Sequence, residues 1–251
     1  MALVKDDKNL QARVEDALRL SDERGYPHFV GFLDERQGAA AEDIAAAWGN
    51  HQYMLWGGYD DAERVFFGAF PPWQQPDSAS FPVVALYITF RKQDSLSHRD
   101  FLGTLMGQGI TRESVGDILV GEGKCVLFLK EEVAGFVRSQ LRKVGGTGVT
   151  LEDEAFAQLP QGRGFDPVTD TVASPRLDCV LAALLRLGRE KSAALIRSGE
   201  VAVNRRQVLS VSDPVREGDK ISARKYGKFV IDGIGPPTKK GRLRLEARKY
   251  K

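Results

Sequence analysis

From Arg176 to Arg206 the apolar residues fall into two short clusters at helical spacing and then into alternation. That order restricts this stretch to two brief helices followed by a hairpin. Leu177, Val180, Leu181, Leu184 and Leu185 form the first stripe, and Ser192, Leu195 and Ile196 the second. Gly199 suits the position that ends the second helix, because glycine tolerates the left-handed conformation. A strand is expected at 200–203, a turn at Asn204-Arg205, and further strands near 220–224, 229–231 and 243–247. In the last of these Leu243, Leu245 and Ala247 alternate with Arg242, Arg244, Glu246 and Arg248, so one face packs while the other presents charge.

The charge is unevenly placed. Of 36 basic and 34 acidic side chains, 19 and 8 lie in residues 173–251, leaving 17 and 26 in the first 172. A whole-chain charge of +2 thus hides a basic C-terminal unit joined to an acidic body, an asymmetry that points to a polyanionic partner, nucleic acid ahead of membrane. No acid occurs at 201–212 or 233–245, where Arg and Lys recur. Charges placed for solubility alone mix both signs. The two cysteines, Cys125 and Cys179, stand apart in apolar runs and read as buried thiols, neither a disulfide nor a metal site. No apolar run approaches the length that spans a bilayer, and the N-terminus lacks the apolar core of a signal peptide. A soluble, cytoplasmic protein without membrane contact is expected.

With 251 residues the chain has room for several small cores. Three units are expected, α+β overall: a mixed α/β N-terminal domain over 1–78, a middle domain over 79–172 and the basic unit over 173–251. In the first, Leu10, Val14, Ala17 and Leu18 predict a helix stopped by Gly25-Tyr26-Pro27. Short helical pieces are expected at 29–33 and 39–48, and strands at 53–56 and 65–70. The segment from Pro71 to Ser78, with three prolines, marks the first boundary. Beyond it, a strand at 83–90, a helix capped by Ser97, strands at 117–120 and 124–129, a helix at 131–143 and a strand near 149–151 spell β-α-β-β-α-β. That is the ferredoxin-like order shared by many RNA-recognition domains. Those domains carry exposed aromatics in a Lys/Arg-Gly-Phe type motif. Here the corresponding strand reads Lys124-Cys125-Val126-Leu127-Phe128-Leu129, so a scaffold or ribosome-contact surface is expected in place of a base-stacking platform.

Arg189 and Lys191 open the second helix of the basic unit, where unpaired backbone amides already favour an anion. Arg176, opening the first helix, is placed to join them around one phosphate. Asp178 reads as an orienter of a neighbouring arginine or a backbone cap, since no second carboxylate is spaced to work with it. Arg197 and Asn204 belong to the same candidate surface, and Arg205, Arg206, Arg224, Lys225 and Lys228 extend it along the hairpin edge. Tyr226 is a candidate for base stacking, and Phe229 suits either stacking or the core.

Residues 174 to about 229 resemble the S-four RNA-binding domain, the two-helix and hairpin module named after a small-subunit ribosomal protein. The likeness rests on Arg176-Leu177-Asp178, Arg189 with Lys191, Leu195-Ile196 with Gly199, Val201 with Val203-Asn204, and Gly218-Asp219 with Ile221. Ser192 replaces the usual Ala, and Asn204-Arg205 the frequent Asn-Gly. Elsewhere Phe32-Leu33-Asp34-Glu35-Arg36, Gly57-Gly58-Tyr59 with Ala62-Glu63-Arg64, His98 to Gly103, Gly116-Asp117-Ile118 and Gly227-Lys228-Phe229 resemble the bacterial YlmH family. That resemblance implies a non-catalytic RNA-binding protein that associates with the large ribosomal subunit and tRNA. It also implies a link to quality control of stalled nascent chains, in a family first grouped with cell-division genes.

His98-Arg99-Asp100 reads as capping and pairing at a helix start, and His28 and His51 have no ligand spacing. Gly121-Glu122-Gly123 and Gly145-Gly146-Thr147-Gly148 complete no nucleotide-binding loop, so neither cofactor nor metal is expected. An RNA-modifying enzyme with an appended S-four module, or a cell-division scaffold, stands as the alternative.

Overall fold

The computed structural model describes residues 2–49, 52–60, 62–160 and 165–250, and divides into two compact units, Met1–Gly162 and Arg163–Lys251. His51 lies outside the described residues. The architecture is α+β throughout.

In the first unit, α1 (Ala2–Arg24), β1 (His28–Leu33), α2 (Glu35–Trp48), β2 (Gln52–Trp56) and β3 (Val65–Phe70) build an antiparallel sheet in the order β1-β3-β2. Asp34 caps α2 through a reciprocal box, its carboxylate accepting from the Gln37 amide while the Gln37 side chain accepts from the Asp34 amide. The 29–33 segment is a strand, not the helical piece expected. Its length suits either element, and β3 decides by pairing with its backbone. Val30, Leu33, Phe67 and Ala69 face α1 and α2.

The ferredoxin-like order follows: β4 (Val83–Thr89), α3 (His98–Gly107), β5 (Val115–Gly121), β6 (Lys124–Lys130), α4 (Glu131–Gln140), a small hairpin of β7 (Lys143–Val144) and β8 (Thr147–Gly148), and β9 (Thr150–Glu152). The antiparallel sheet runs β5-β6-β4-β9, with β6 set between the two arms of the first β-α-β. One face packs on α3 and α4 through Leu86, Ile88, Leu127, Leu129, Phe101 and Val137.

The other face meets the N-terminal sheet. Phe32, Phe66, Phe70 and Phe81 pack there with Val126 and Phe128, all buried. The order within this unit is therefore helix layer, sheet, sheet, helix layer. Gly58 admits the close approach: its φ is +102°, and a Cβ there would lie 2.3 Å from the Phe128 ring. Phe81 lies just past the Pro-rich segment, so that segment connects two parts of one core.

A polar clamp accompanies the aromatic layer. Buried Asp117 accepts from Tyr59 Oη (2.8 Å), Glu63 N (2.7 Å) and Arg64 N (3.2 Å). Arg64 in turn donates to the carbonyls of Val115, Phe32 and Arg112. Burial pushes the Asp117 carboxyl up. Burial, reinforced by the Arg64 charge, pushes Arg112 down to about 10.

The second unit contains β10 (Phe165–Val172), α5 (Leu177–Leu185), α6 (Arg189–Arg197), β11 (Val201–Val203), β12 (Arg206–Gln207), β13 (Lys220–Ala223), β14 (Gly227–Pro237) and β15 (Leu243–Tyr250). Its sheet order is β10-β15-β14-β13-β11-β12. Strand β10, counted with the middle domain in the sequence reading, pairs along its whole length with β15, so the C-terminal sheet begins before residue 173. Leu177, Val180, Leu181, Leu184 and Ile196 pack on Ile221, Phe229, Ile231 and Leu245.

Asp117→Ala would strand a phenol and two amides in the clamp. It is expected to lower the stability of the full chain by about 3 kcal/mol, read from the urea midpoint; a loss under about 1 kcal/mol would show that the clamp is incidental to the aromatic layer.

Candidate nucleic-acid interface

The two short helices of the basic unit end by the same device. After α6, Gly199 (φ +73°) donates to Ile196 O and Glu200 N to Leu195 O, the paired bonds of a Schellman turn. After α5, Arg186 takes the left-handed conformation (φ 53°) and Leu187 N donates to Ala182 O. Ser192 is fully buried, and its hydroxyl donates to Gly188 O at 3.4 Å, so the extra oxygen is accommodated by a bond to the preceding turn.

Three of the expected residues converge at the helix starts. The Asp178 carboxylate accepts from Arg176 Nε (3.2 Å), from Arg189 Nε (2.7 Å) and from the Cys179 amide (3.0 Å). The acid side chain is 5% exposed and the two arginines 41% and 60%. One buried carboxylate thus fixes two exposed cations, each held by Nε alone, which leaves the terminal nitrogens of both outside this contact. Burial by itself would raise Asp178. The hydrogen bonds and charges of Arg189 and Arg176 outweigh it and hold the carboxyl below the ordinary range. The same contact raises Arg189. Asp178 therefore orients both arginines from within the first turn of α5, whose N-cap is Arg176.

The backbone at the two helix starts differs. Leu177 N and Asp178 N of α5 donate to the carbonyls of Asp213 and Val211, so those amides are occupied. The N-cap of α6 is Gly188, which has no side chain to cap with, and Arg189, Glu190 and Lys191 stand exposed in the first turn, two cations to one acid. An anion is favoured at α6.

The remaining positions lie elsewhere on the unit. Arg197 ends α6, about 12 Å along the axis from Arg189. Arg224 joins that far end, its amide donating to Glu200 O at 2.9 Å. Asn204 is committed to the fold: its Nδ2 donates to Asp219 (2.7 Å) and its Oδ1 accepts from Lys220 N (2.9 Å). Asn204 and Arg205 both have positive φ (50° and 71°), which makes the β11–β12 connection a tight turn of the kind that usually takes glycine at its second place. Arg205 is half-buried there, and Arg206 is exposed on the edge strand β12. Lys225, in the β13–β14 turn, also has positive φ (70°); Lys228 on β14 is half-buried. Phe229 belongs to the core, while Tyr226 is 37% exposed. The sequence reading missed Gln207, whose amide donates to Gly199 O (2.7 Å) and ties β12 to the end of α6. Only the three-dimensional pairing of the hairpin reveals that role.

Cys125 is buried, Cys179 is half-buried rather than buried, and both are free thiols. Asp100 bonds Ser97 at the start of α3, and those bonds hold its carboxyl below the ordinary range. Among the described residues no group of three His, Cys, Asp or Glu side chains is placed to hold a metal, and no helix is long and apolar enough to cross a membrane.

Two short helices thus lie on an antiparallel sheet, with an arginine pair held at their starts by one carboxylate. Residues 175–221 match the family model of the S4 domain, and residues 76–158 that of the putative RNA-binding domain in YlmH. The ribosome-associated protein quality control protein P2 of Bacillus subtilis (strain 168) is 34% identical over 252 residues, covering 97% of this chain and 96% of the relative. The cell division protein ylmH from Streptococcus pneumoniae aligns with a TM-score of 0.49 and 21% identity over 61% of this chain and 89% of that one. The chain belongs to the YlmH family. The families it matches are RNA-binding families.

Because Asp178 titrates below its unfolded value, it stabilises the fold above the unfolded-state range near about pH 4 and ceases to do so as pH falls through the lower folded value. Asp178→Asn should therefore lower stability at neutral pH by about 2 kcal/mol and weaken the loss of melting temperature on acidification below about pH 4. A variant as stable and as acid-sensitive as the parent would remove Asp178 from this role.

Proposed function

We propose that this chain is a non-catalytic, cytoplasmic RNA-binding factor that holds ribosomal RNA and/or tRNA on the large ribosomal subunit and acts in quality control of stalled nascent chains. The observation that carries the reading is the Arg176–Asp178–Arg189 constellation on a strongly basic unit. Two guanidinium groups locked through Nε need little ordering on binding, so their terminal N–H groups meet phosphate oxygens at a low entropic cost. The α6 amide end and Lys191 add to the same anion site. Arg197, Arg205, Arg206, Arg224 and Lys228 supply outlying contacts that set orientation along the backbone. The Bacillus subtilis relative, named for ribosome-associated protein quality control, aligns over almost the whole chain and supports the ribosomal part of the reading.

About four to six phosphate contacts correspond to a log-log salt slope of roughly −3 to −5. Sedimentation of tagged protein from lysate through sucrose gradients is expected to place it with large subunits at low salt. Raising the salt or introducing Arg189→Ala should release it; the substitution also lowers the melting temperature, because buried Asp178 then keeps Arg176 as its one arginine partner, so the gradients are run well below the variant's melting transition. Protein that stays at the top of the gradient under all conditions would overturn the ribosomal reading, and equal co-migration of Arg189→Ala would overturn the site.

A further inference from the structure

We propose that the middle domain takes the sugar-phosphate backbone of structured RNA at one end of its sheet, where β4 and β5 finish and β6 begins, and not on the sheet face. The proposal rests on the reading of the chain as an RNA-binding factor.

The route by which a ferredoxin-like sheet usually holds RNA is closed here. Stacking of bases needs an open sheet face with exposed aromatics. In this unit Val126 and Phe128 of β6 are buried against Phe32, Phe66, Phe70 and Phe81. RNA contact by this domain has to use its ends or its helices.

The topology makes the two ends different. Three connections meet at one end: 90–97 between β4 and α3, 121–124 between β5 and β6, and 141–149 between α4 and β9. The register brings them together, with Thr89 opposite both Lys124 and Thr150 and Phe90 N donating to Gly123 O at 3.0 Å. Gly145 of the β7–β8 hairpin lies against Asp100 at the start of α3. Arg91, Lys92, Arg99, Lys124, Arg142 and Lys143 all stand exposed on these connections or next to them.

The acids at this end are largely committed. Asp94 pairs with Arg91, Asp100 bonds Ser97, and Glu152 accepts from Thr89 Oγ1, while Glu122 is exposed. At the opposite end the balance is reversed. Glu113, Glu131 and Glu132 are exposed there, Lys130 pairs with Glu132, and Arg112 turns inward to the carbonyls of Val115 and Gly116. Of the residues named, six are basic and four acidic at the first end, against two and three at the other; that excess of cations over three separate connections makes a positive surface suited to an extended polyanion. Two of its cations are also held in place: Arg142 Nη1 donates to the carbonyls of Arg138 and Leu141, and Lys124 Nζ lies 5.1 Å from the centre of the Phe156 ring.

The test uses the full chain and deproteinised large-subunit ribosomal RNA as the probe. The variant Lys92→Glu/Lys124→Glu/Lys143→Glu is expected to lose roughly tenfold or more in affinity at fixed salt. A control with the same change in net charge on the N-terminal helices, Arg19→Glu/Arg24→Glu/Arg36→Glu, should lose less than about threefold. Equal losses in both, or none in the first, would overturn the surface. If the wild-type chain does not bind the RNA, the RNA-binding reading itself falls. If it binds, and Arg189→Ala weakens it while the lysine variant does not, the middle-domain surface alone is overturned. Acetylation of the unmutated protein covers a variant that fails to fold: Lys92, Lys124 and Lys143 should react more slowly when RNA is saturating, and unchanged rates would overturn the proposal.

Discussion

The layer of phenylalanines between the two sheets of the first unit is the constraint on which the rest of that unit depends. A sheet covered on both faces needs apolar residues at consecutive positions, which is why Cys125 to Leu129 of β6 are all buried and why the run does not alternate. Its cross-sheet partners come from a different part of the chain, Phe32, Phe66 and Phe70. The same layer explains the absence of the aromatic RNA-recognition motif from β6. Phe128 is there to fill the interior, and a stacking residue at that position would have nothing to stack on but protein.

In the second unit the decisive interaction is electrostatic. A carboxylate taken out of water is costly unless it is paired and hydrogen-bonded. Asp178 meets that demand by drawing in two arginine side chains from different helices, and the pairing is strong enough to reverse the effect of burial on its proton affinity. The result is that a requirement of the interior sets the position of cations on the surface. Ion pairs between exposed groups contribute little and wander; this one is anchored at its acidic end.

Local signals were legible in the sequence wherever one residue determines a local geometry. The stripes of α5 and α6, the stop at Gly199, the Ser97 start of α3 and the order of the middle-domain strands all follow from spacing and from capping residues. What was not legible depends on partners far along the chain. The 29–33 run becomes a strand only because β3 lies beside it. Strand β10 mixes strand-forming Phe165, Val168, Thr169, Thr171 and Val172 with Asp166, Pro167 and Asp170, which strands disfavour; it survives at the sheet edge, where proline is tolerated, because β15 supplies its bonds. The burial of one sheet upon the other was also hidden, since apolar runs announce that a face is covered without saying by what. For the candidate interface, Arg-Leu-Asp suggested an oriented arginine, while the joint hold on Arg176 and Arg189 is a property of helix packing. Asn204 looked like a surface donor and is committed to the turn.

Among the described residues, the non-glycine positions with positive φ are Arg186, Asn204, Arg205 and Lys225, all in the basic unit. Three of the four are cations standing where glycine would be unstrained, and a left-handed backbone at a residue with a Cβ is unfavourable by roughly 1–2 kcal/mol. Glycine at these turns would relax the backbone and discharge the surface in one step. Stability and charge are thus set against each other at single residues, and the sequence has settled each contest in favour of charge. A version of this domain selected for heat resistance alone would drift toward glycine at the turns and grow less basic as it grew more robust.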